Sequence, residues 1–263
     1  MPSRARVRRA TRGGRGRGDE FGRLRGRSGR NPGRRSRRAR EGIGVVSKPE
    51  ESGVEEEYRD PAAPTAHQLA GGAGREFSVV LLVAALLIGF ASLQLALAEL
   101  QFYRDPAGHL ACDVNPLIGC STSLTTPQAH LFFGIPNSLL GLAFAGGLLA
   151  LGLVLVAGGR LPRLLWWGLC LAGGVLLAYI VYFAHQSVTV FGTLCPWCMV
   201  IWVASTVLAA HIFARAAQAR HLPLGPGLTR ALTLNRWLIA VGLLLVLFGT
   251  VLALLWDRVM LVL

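Results

Sequence analysis

The sequence predicts an all-α membrane protein with five transmembrane helices and a disordered N-terminal tail. Hydrophobic residues fill 52% of the 263 positions and run in long unbroken stretches instead of alternating with polar ones, so the solvent they suit is lipid. The first 40 residues, by contrast, hold sixteen Arg among Gly and Ser with almost no large apolar side chain. Such a composition cannot bury enough surface to offset the entropy of ordering.

Residues 1–76 are therefore expected to be an Arg/Gly-rich cytoplasmic tail and linker. The tail sets only Asp19 and Glu20 against its sixteen Arg, whereas the other 223 residues carry eleven Lys or Arg and twelve Asp or Glu. The net charge of +13 belongs to the tail, and the body is nearly neutral. No specific nucleic-acid partner is predicted; a solvated tail, with anionic membrane lipids as the next candidate contact, suits this distribution better. An acidic patch (Glu50, Glu51, Glu55 to Glu57) and a Pro/Ala/Gly linker lead to Arg75. Arg8-Arg9 hints at twin-arginine export, but no apolar stretch follows before Phe77, so the first span reads as a retained anchor.

The predicted spans are Phe77–Ala98, Leu131–Val156, Leu164–Val190, Pro196–Ala214 and Trp237–Leu255. At about 1.5 Å rise per residue, each crosses most or all of a ~30 Å hydrocarbon layer. Basic residues are retained in the cytoplasm, so the Arg-rich N-terminus fixes the first entry side. Threading onward places Arg160 and Arg163, then Arg215, Arg220, Arg230 and Arg236, on that same side. The loop from Glu99 to His130 and the turn from Phe191 to Leu194 then lie outside. Cys112, Cys120, Cys195 and Cys198 all share that extracytoplasmic face, where an oxidising environment permits disulfides.

Cys195-Pro196-Trp197-Cys198 opens the fourth span. With Cys195 as N-cap, Pro196 takes the first helical position, where its missing N–H costs nothing. Both sulfurs then sit near the positive end of a helix dipole, which favours the reactive thiolate. A CxxC pair also has the spacing of a reversible disulfide. A fixed structural disulfide and a metal site are the competing readings. Metal ranks lower, because Cys112 and Cys120 are spaced around Asp113-Val114-Asn115-Pro116, which is no zinc-knuckle pattern. Those two cysteines lie in a stretch of turn formers and apolar residues that could skim the membrane surface. A flexible loop bearing a disulfide is accessible to a soluble thiol on one side and to the CxxC on the other, which makes the two pairs a relay. Two structural disulfides are the alternative.

Three segments carry a family resemblance: Cys112-Asp113-Val114-Asn115-Pro116-Leu117-Ile118-Gly119-Cys120, Phe133-Gly134-Ile135-Pro136-Asn137-Ser138-Leu139-Leu140-Gly141, and Cys195-Pro196-Trp197-Cys198. In order, spacing and topology the chain resembles a bacterial member of the vitamin K epoxide reductase family over residues 77 to about 214. The resemblance implies a four-helix bundle, residues 77–214 with a redox loop 99–130, around a quinone pocket opening to the outer leaflet. Residues 215–263 add a cytoplasmic loop and a fifth transmembrane helix. It implies a membrane quinone of menaquinone or ubiquinone type as acceptor. It further implies a separate thioredoxin-fold thiol oxidase as partner, since no second CxxC domain follows the bundle. By position, Cys112 takes electrons from the partner, Cys120 passes them to Cys195, and Cys198 faces the quinone. Thr126 matches a Ser/Thr position that assists loop exchange, and Asn137 matches an asparagine that hydrogen-bonds a quinone carbonyl. Trp202 stands where vertebrate members place a quinone-contacting tyrosine, so reduction of vitamin K epoxide is not implied.

Polar groups inside spans are costly unless paired. His185 and Gln186 are expected near the redox face, His185 bonding to a neighbouring helix. Cys170 reads as a small buried thiol. Trp166, Trp167 and Trp237 read as interface anchors, and Gly146-Gly147 and Gly173-Gly174 as sites of close helix approach. The function expected is a membrane thiol:quinone oxidoreductase that reoxidises its partner for disulfide formation in exported proteins. A non-catalytic membrane scaffold with structural disulfides is the alternative, and a reversed flow from quinol to outer thiols is a third.

Overall fold

The structure, a computed structural model, describes residues 60–262. The expectations for residues 1–59 lie outside it. Among the described residues, five helices are long and apolar enough to cross a membrane: Arg75–Arg104 (α2), Asn137–Val156 (α4), the continuous stretch Arg163–Phe191 that begins with α5 (Arg163–Gln186), Pro196–Gln218 (α6) and Arg236–Leu254 (α8). Shorter helices accompany them: Ala66–Leu69 (α1), Ser121–Leu124 (α3), Pro226–Leu234 (α7) and Trp256–Val262 (α9).

The second span starts six residues later than its hydropathy suggests. Leu131 to Pro136 form a turn in which Phe133 (φ 53°) and Gly134 (φ 75°) are left-handed, and Pro136 caps α4. Proline has no N–H to give and disfavours helix in the residue before it, so a helix starts after Pro136 more readily than it runs through it. The third span ends in a π-turn, Ser187–Phe191, closed by left-handed Gly192.

α2 packs against α4 and α6, and α5 against α6. α6 is the most buried span, with more than half of its apolar stretch inside the protein, and it achieves this with small residues such as Ala204, Ala209 and Ala216. α8 lies against α6 with little of its apolar stretch buried, so most of its surface faces lipid. Of the two glycine pairs expected at close helix approaches, one is found there. Gly146 and Gly147 face open space, whereas a Cβ on Gly141 would stand 2.3 Å from the Ser92 hydroxyl of α2. Gly173 does lie against Ala209, 3.7 Å away.

At the end of the bundle opposite the CxxC, Trp166 is fully buried instead of anchoring at an interface. Its indole N–H donates to the Gly71 carbonyl (3.1 Å), its ring packs on Phe77, and the Arg215 guanidinium lies 4.8 Å over it. Trp167 and Trp237 remain half-exposed, as anchors should, with their N–H groups on the His221 carbonyl and Glu76. Cys170 is buried in the same core as Trp166. The Arg236 guanidinium pairs with Glu76, and Arg230 with Asp60 at 2.9 Å. Thus Arg215, Arg230 and Arg236 gather at the end away from the cysteines.

Candidate functional site

Backbone pairing brings the two cysteine motifs together. Gly119 N–H donates to the Leu194 carbonyl (3.1 Å) and Leu194 N–H to the Leu117 carbonyl (2.8 Å), so the loop runs beside the residues leading into the CxxC. Cys120 and Cys195 follow directly. Cys112 and Cys120 are joined by a disulfide, and the Sγ of Cys195 lies 3.4 Å from that of Cys120. Cys195 and Cys198 are free thiols.

The loop packs closely around its cysteines. Cys112 (6% exposed) and Cys120 (fully buried) pack with Leu95, Leu110, Leu124 and Cys195. Asp113 Oδ1 accepts from the N–H groups of Cys120 (2.7 Å) and Ser121 (3.1 Å). A Cβ on Gly119 would sit 2.7 Å from that same oxygen, so glycine is what lets the carboxylate in. Asn115 Oδ1 likewise accepts from Leu117 and Ile118 and tightens the turn before Cys120.

Cys195 is the N-cap of α6 in extended conformation, with Pro196 first in the helix, as its sequence implies. Standing just outside the span, its thiol is drawn below the ordinary range, chiefly by the hydrogen bond from the Cys198 side chain, with the Cys198 and Trp197 N–H groups adding to it against the cost of burial.

Beneath the cysteines lies a cavity of about 390 Å³ between α2, α4, α5 and α6. Its wall is mostly apolar, with Ile88, Leu140, Phe144, Leu176 and Phe183, and it reaches Cys195, Cys198, Asn137 and Trp202. Three buried polar atoms on it lack a partner among the described residues: Ser92 Oγ, Thr193 Oγ1 and Asn137 Oδ1. The hydroxyls can donate to a carbonyl, and the amide oxygen can accept from a hydroxyl. A flat apolar ring bearing oxygen at its edges, a quinone or its reduced form, fits this lining. The Asn137 Nδ2 is already used on the Gln128 carbonyl (2.6 Å), which fixes the turn before α4.

Of the residues singled out from sequence, Cys112, Cys120, Cys195 and Cys198 converge, and Asn137 and Trp202 share their cavity. Trp202 is nearly buried and packs on Phe248 of α8 (6.2 Å between centroids), so the fifth span buttresses the cavity wall. Thr126 is not on the cavity; its hydroxyl donates to the Ser123 carbonyl (2.9 Å). His185 is exposed and, among the described residues, bonds to no neighbouring helix; the Thr189 hydroxyl one turn on donates to its carbonyl (2.8 Å). Gln186 is half-buried and lies off the cavity.

Sequence reasoning passed over Glu99, Ser138 and Tyr179, all on the cavity. Glu99 is 7% exposed; its Oε1 bonds to His130 Nε2 (2.9 Å) and its Oε2 accepts from the Ser138 hydroxyl (3.2 Å). A carboxylate directly after an apolar run, with Leu100 and Phe102 still following it, was a signal available in the sequence. Tyr179 brings a phenolic hydroxyl from α5, its ring tilted against Phe183 (4.5 Å between centroids).

Five apolar spans carrying two touching cysteine pairs above an apolar cavity define a class: multi-pass membrane proteins suited to thiol–disulfide redox chemistry. The chain belongs to the vitamin K epoxide reductase family, whose model matches residues 79–213, just over half of its length. Members of that family are membrane oxidoreductases that use quinones as redox partners. No curated protein matches this chain.

Proposed function

We propose that the protein is a thiol:quinone oxidoreductase that reoxidises a thioredoxin-fold partner on the extracytoplasmic side, so that disulfides can be inserted into exported proteins. The observation that carries this reading is the 3.4 Å approach of Cys195 to Cys120, within reach for exchange between the two pairs. The gathering of Arg215, Arg230 and Arg236 at the opposite end supports a cytoplasmic position for that end, and the cysteines then face outward.

A partner thiolate attacks Cys112, the less deeply buried loop sulfur, and releases Cys120 as a thiolate. The partner's second thiol resolves the mixed disulfide and frees Cys112. Cys120 then attacks Cys195 of an oxidised Cys195–Cys198 pair and releases Cys198. Cys112 closes on Cys120 again and frees Cys195. The product of that sequence, loop oxidised and CxxC reduced, is the state the structure holds. A membrane quinone supplies the terminal two-electron, two-proton acceptor. Toward it, Cys198 presents a thiol on the cavity wall, Ser92 and Thr193 present hydroxyl donors, and Asn137 Oδ1 presents an acceptor. Trp202 shapes the wall, and Tyr179 offers a hydroxyl where Trp202 cannot. Thr126 acts through the loop, by holding the Ser123 carbonyl two residues beyond the Ser121 N–H that Asp113 binds.

Trapping tests the reading. In Cys120→Ala the Cys112 thiolate attacks the disulfide of an oxidised thioredoxin-fold protein, releasing one of its thiols, and no Cys120 is left to resolve the product, so a covalent adduct is expected on non-reducing gels. A protein that forms no adduct in this variant, while holding its loop disulfide in the wild type, is a scaffold.

A further inference from the structure

The dithiol chemistry proposed above leaves the cavity one proton short. Oxidising the Cys195/Cys198 pair releases two electrons and two protons, and reducing a quinone to its quinol consumes both. Cys198 lines the cavity, and its proton is at hand. Cys195 is released as a thiolate when Cys112 closes on Cys120, at the helix cap beside the loop, so it brings no second proton to the cavity. The missing proton must return through the wall.

Among the described residues, Glu99 is the one acidic group lining the cavity. Its carboxyl is almost fully enclosed, yet its partner His130 keeps 24% of its side chain accessible and belongs to the short 3-10 turn Pro127–His130 of the outer loop. One oxygen of Glu99 meets His130 at 2.9 Å and the other meets Ser138 of α4 at 3.2 Å. A latch between loop and span needs no charge, and a neutral amide would make the same bonds with less desolvation. A carboxylate joined to an imidazole that reaches solvent does something an amide cannot: it accepts and gives a proton.

We propose that His130 and Glu99 form the proton path from the outer surface into the cavity. This rests on the thiol:quinone reading. His130 in its imidazolium form gives a proton to Glu99 Oε1; the protonated carboxyl gives one to an oxygen of the reduced acceptor; water recharges His130. Ser138 holds the other carboxyl oxygen in place. The other titratable groups on the cavity are Tyr179, Cys195 and Cys198, and among the described residues none of them is hydrogen-bonded to a titratable side chain that reaches solvent.

The test uses the full-length protein in lipid with a soluble quinone analogue and a reduced thioredoxin-fold protein. General acid–base groups typically contribute about 10²-fold or more, so Glu99→Gln is expected to slow quinone reduction by about that factor. His130→Ala is expected to slow it as well, and imidazole added to the buffer to restore it, because the imidazole site borders solvent. A latch that merely packs would not be rescued. The redox-induced infrared difference spectrum adds a readout independent of rate: a carboxyl band in the wild type that is missing in Glu99→Gln. Retention of the Cys112–Cys120 disulfide reports folding; if Glu99→Gln loses it, His130→Ala with imidazole decides. Quinone reduction within twofold of wild type in both variants, or a slow His130→Ala that imidazole leaves slow, overturns the proton path while the thiol:quinone reading stands. A wild-type protein that passes no electrons to quinone overturns both.

Discussion

Asp113 offers the sharpest quantitative test of how the loop is aimed. A Cys112→Ala/Cys198→Ala background leaves Cys120 and Cys195 to pair with each other, and their 3.4 Å approach predicts that they do so readily. Asp113→Ala in that background removes the acceptor for two N–H groups, Cys120 at 2.7 Å and Ser121 at 3.1 Å. A hydrogen bond to a charged group contributes about 1.5–3 kcal/mol, and water replaces part of that at a half-exposed carboxylate, so about 1.5–3 kcal/mol is expected for the pair together. At about 1.4 kcal/mol per tenfold, the docked loop becomes roughly 10- to 100-fold less populated. A second effect acts in the same direction. The Asp113 charge raises the Cys195 pKa, so its removal stabilises the Cys195 thiolate and with it the reduced pair. That charge is the smallest of the contributions at Cys195, so docking should dominate. Equilibration against glutathione redox buffers reports the effective concentration of Cys120 at Cys195. A fall of one to two orders of magnitude is expected; an unchanged or increased value refutes the docking argument.

Other expectations follow from the same contacts. Gly119→Ala pushes a Cβ toward the Asp113 oxygen and should reproduce part of the Asp113→Ala effect in the same glutathione assay. Trp202→Ala removes a nearly buried side chain shared by the cavity and Phe248; a loss of about 3–5 kcal/mol should appear as a lower Tm, together with a higher quinone KM. Because the Cys195 pKa lies below that of an ordinary thiol, its thiolate is retained as pH falls through the usual thiol range and is lost only below its own lowered value. Exchange with Cys120 should therefore hold its rate to lower pH than a model thiol does, as rapid-mix quenching would reveal. A membrane-impermeant maleimide should label reduced Cys112 only from the extracytoplasmic side, and labelling from the cytoplasm would contradict the orientation.

The sequence exposed its long-range architecture because lipid leaves few options. Uninterrupted apolar runs announce spans, and the Cys195-Pro196 cap announces where α6 begins. Proximity in sequence also announced the loop pair. What stayed hidden depends on pairings across the bundle. Nothing local to Glu99 points to His130 thirty-one residues on, or to Ser138 on the next span. The false start at Leu131 came from hydropathy alone, which scores Leu131 to Ile135 as span although Gly134 and Pro136 shape a turn there. Trp166 was misread for a related reason: aromatic residues near span ends usually anchor, but this one finds a buried carbonyl at Gly71 and a guanidinium above its ring.

The central claim is that electrons leave through Cys198 to a quinone. Anaerobic mixing of the purified protein with a reduced dithiol protein and a quinone tests it directly. One quinol formed per dithiol oxidised, abolished by Cys198→Ala, is the predicted result. Quinone reduction that survives Cys198→Ala, or dithiol oxidation with no quinol formed, would contradict it.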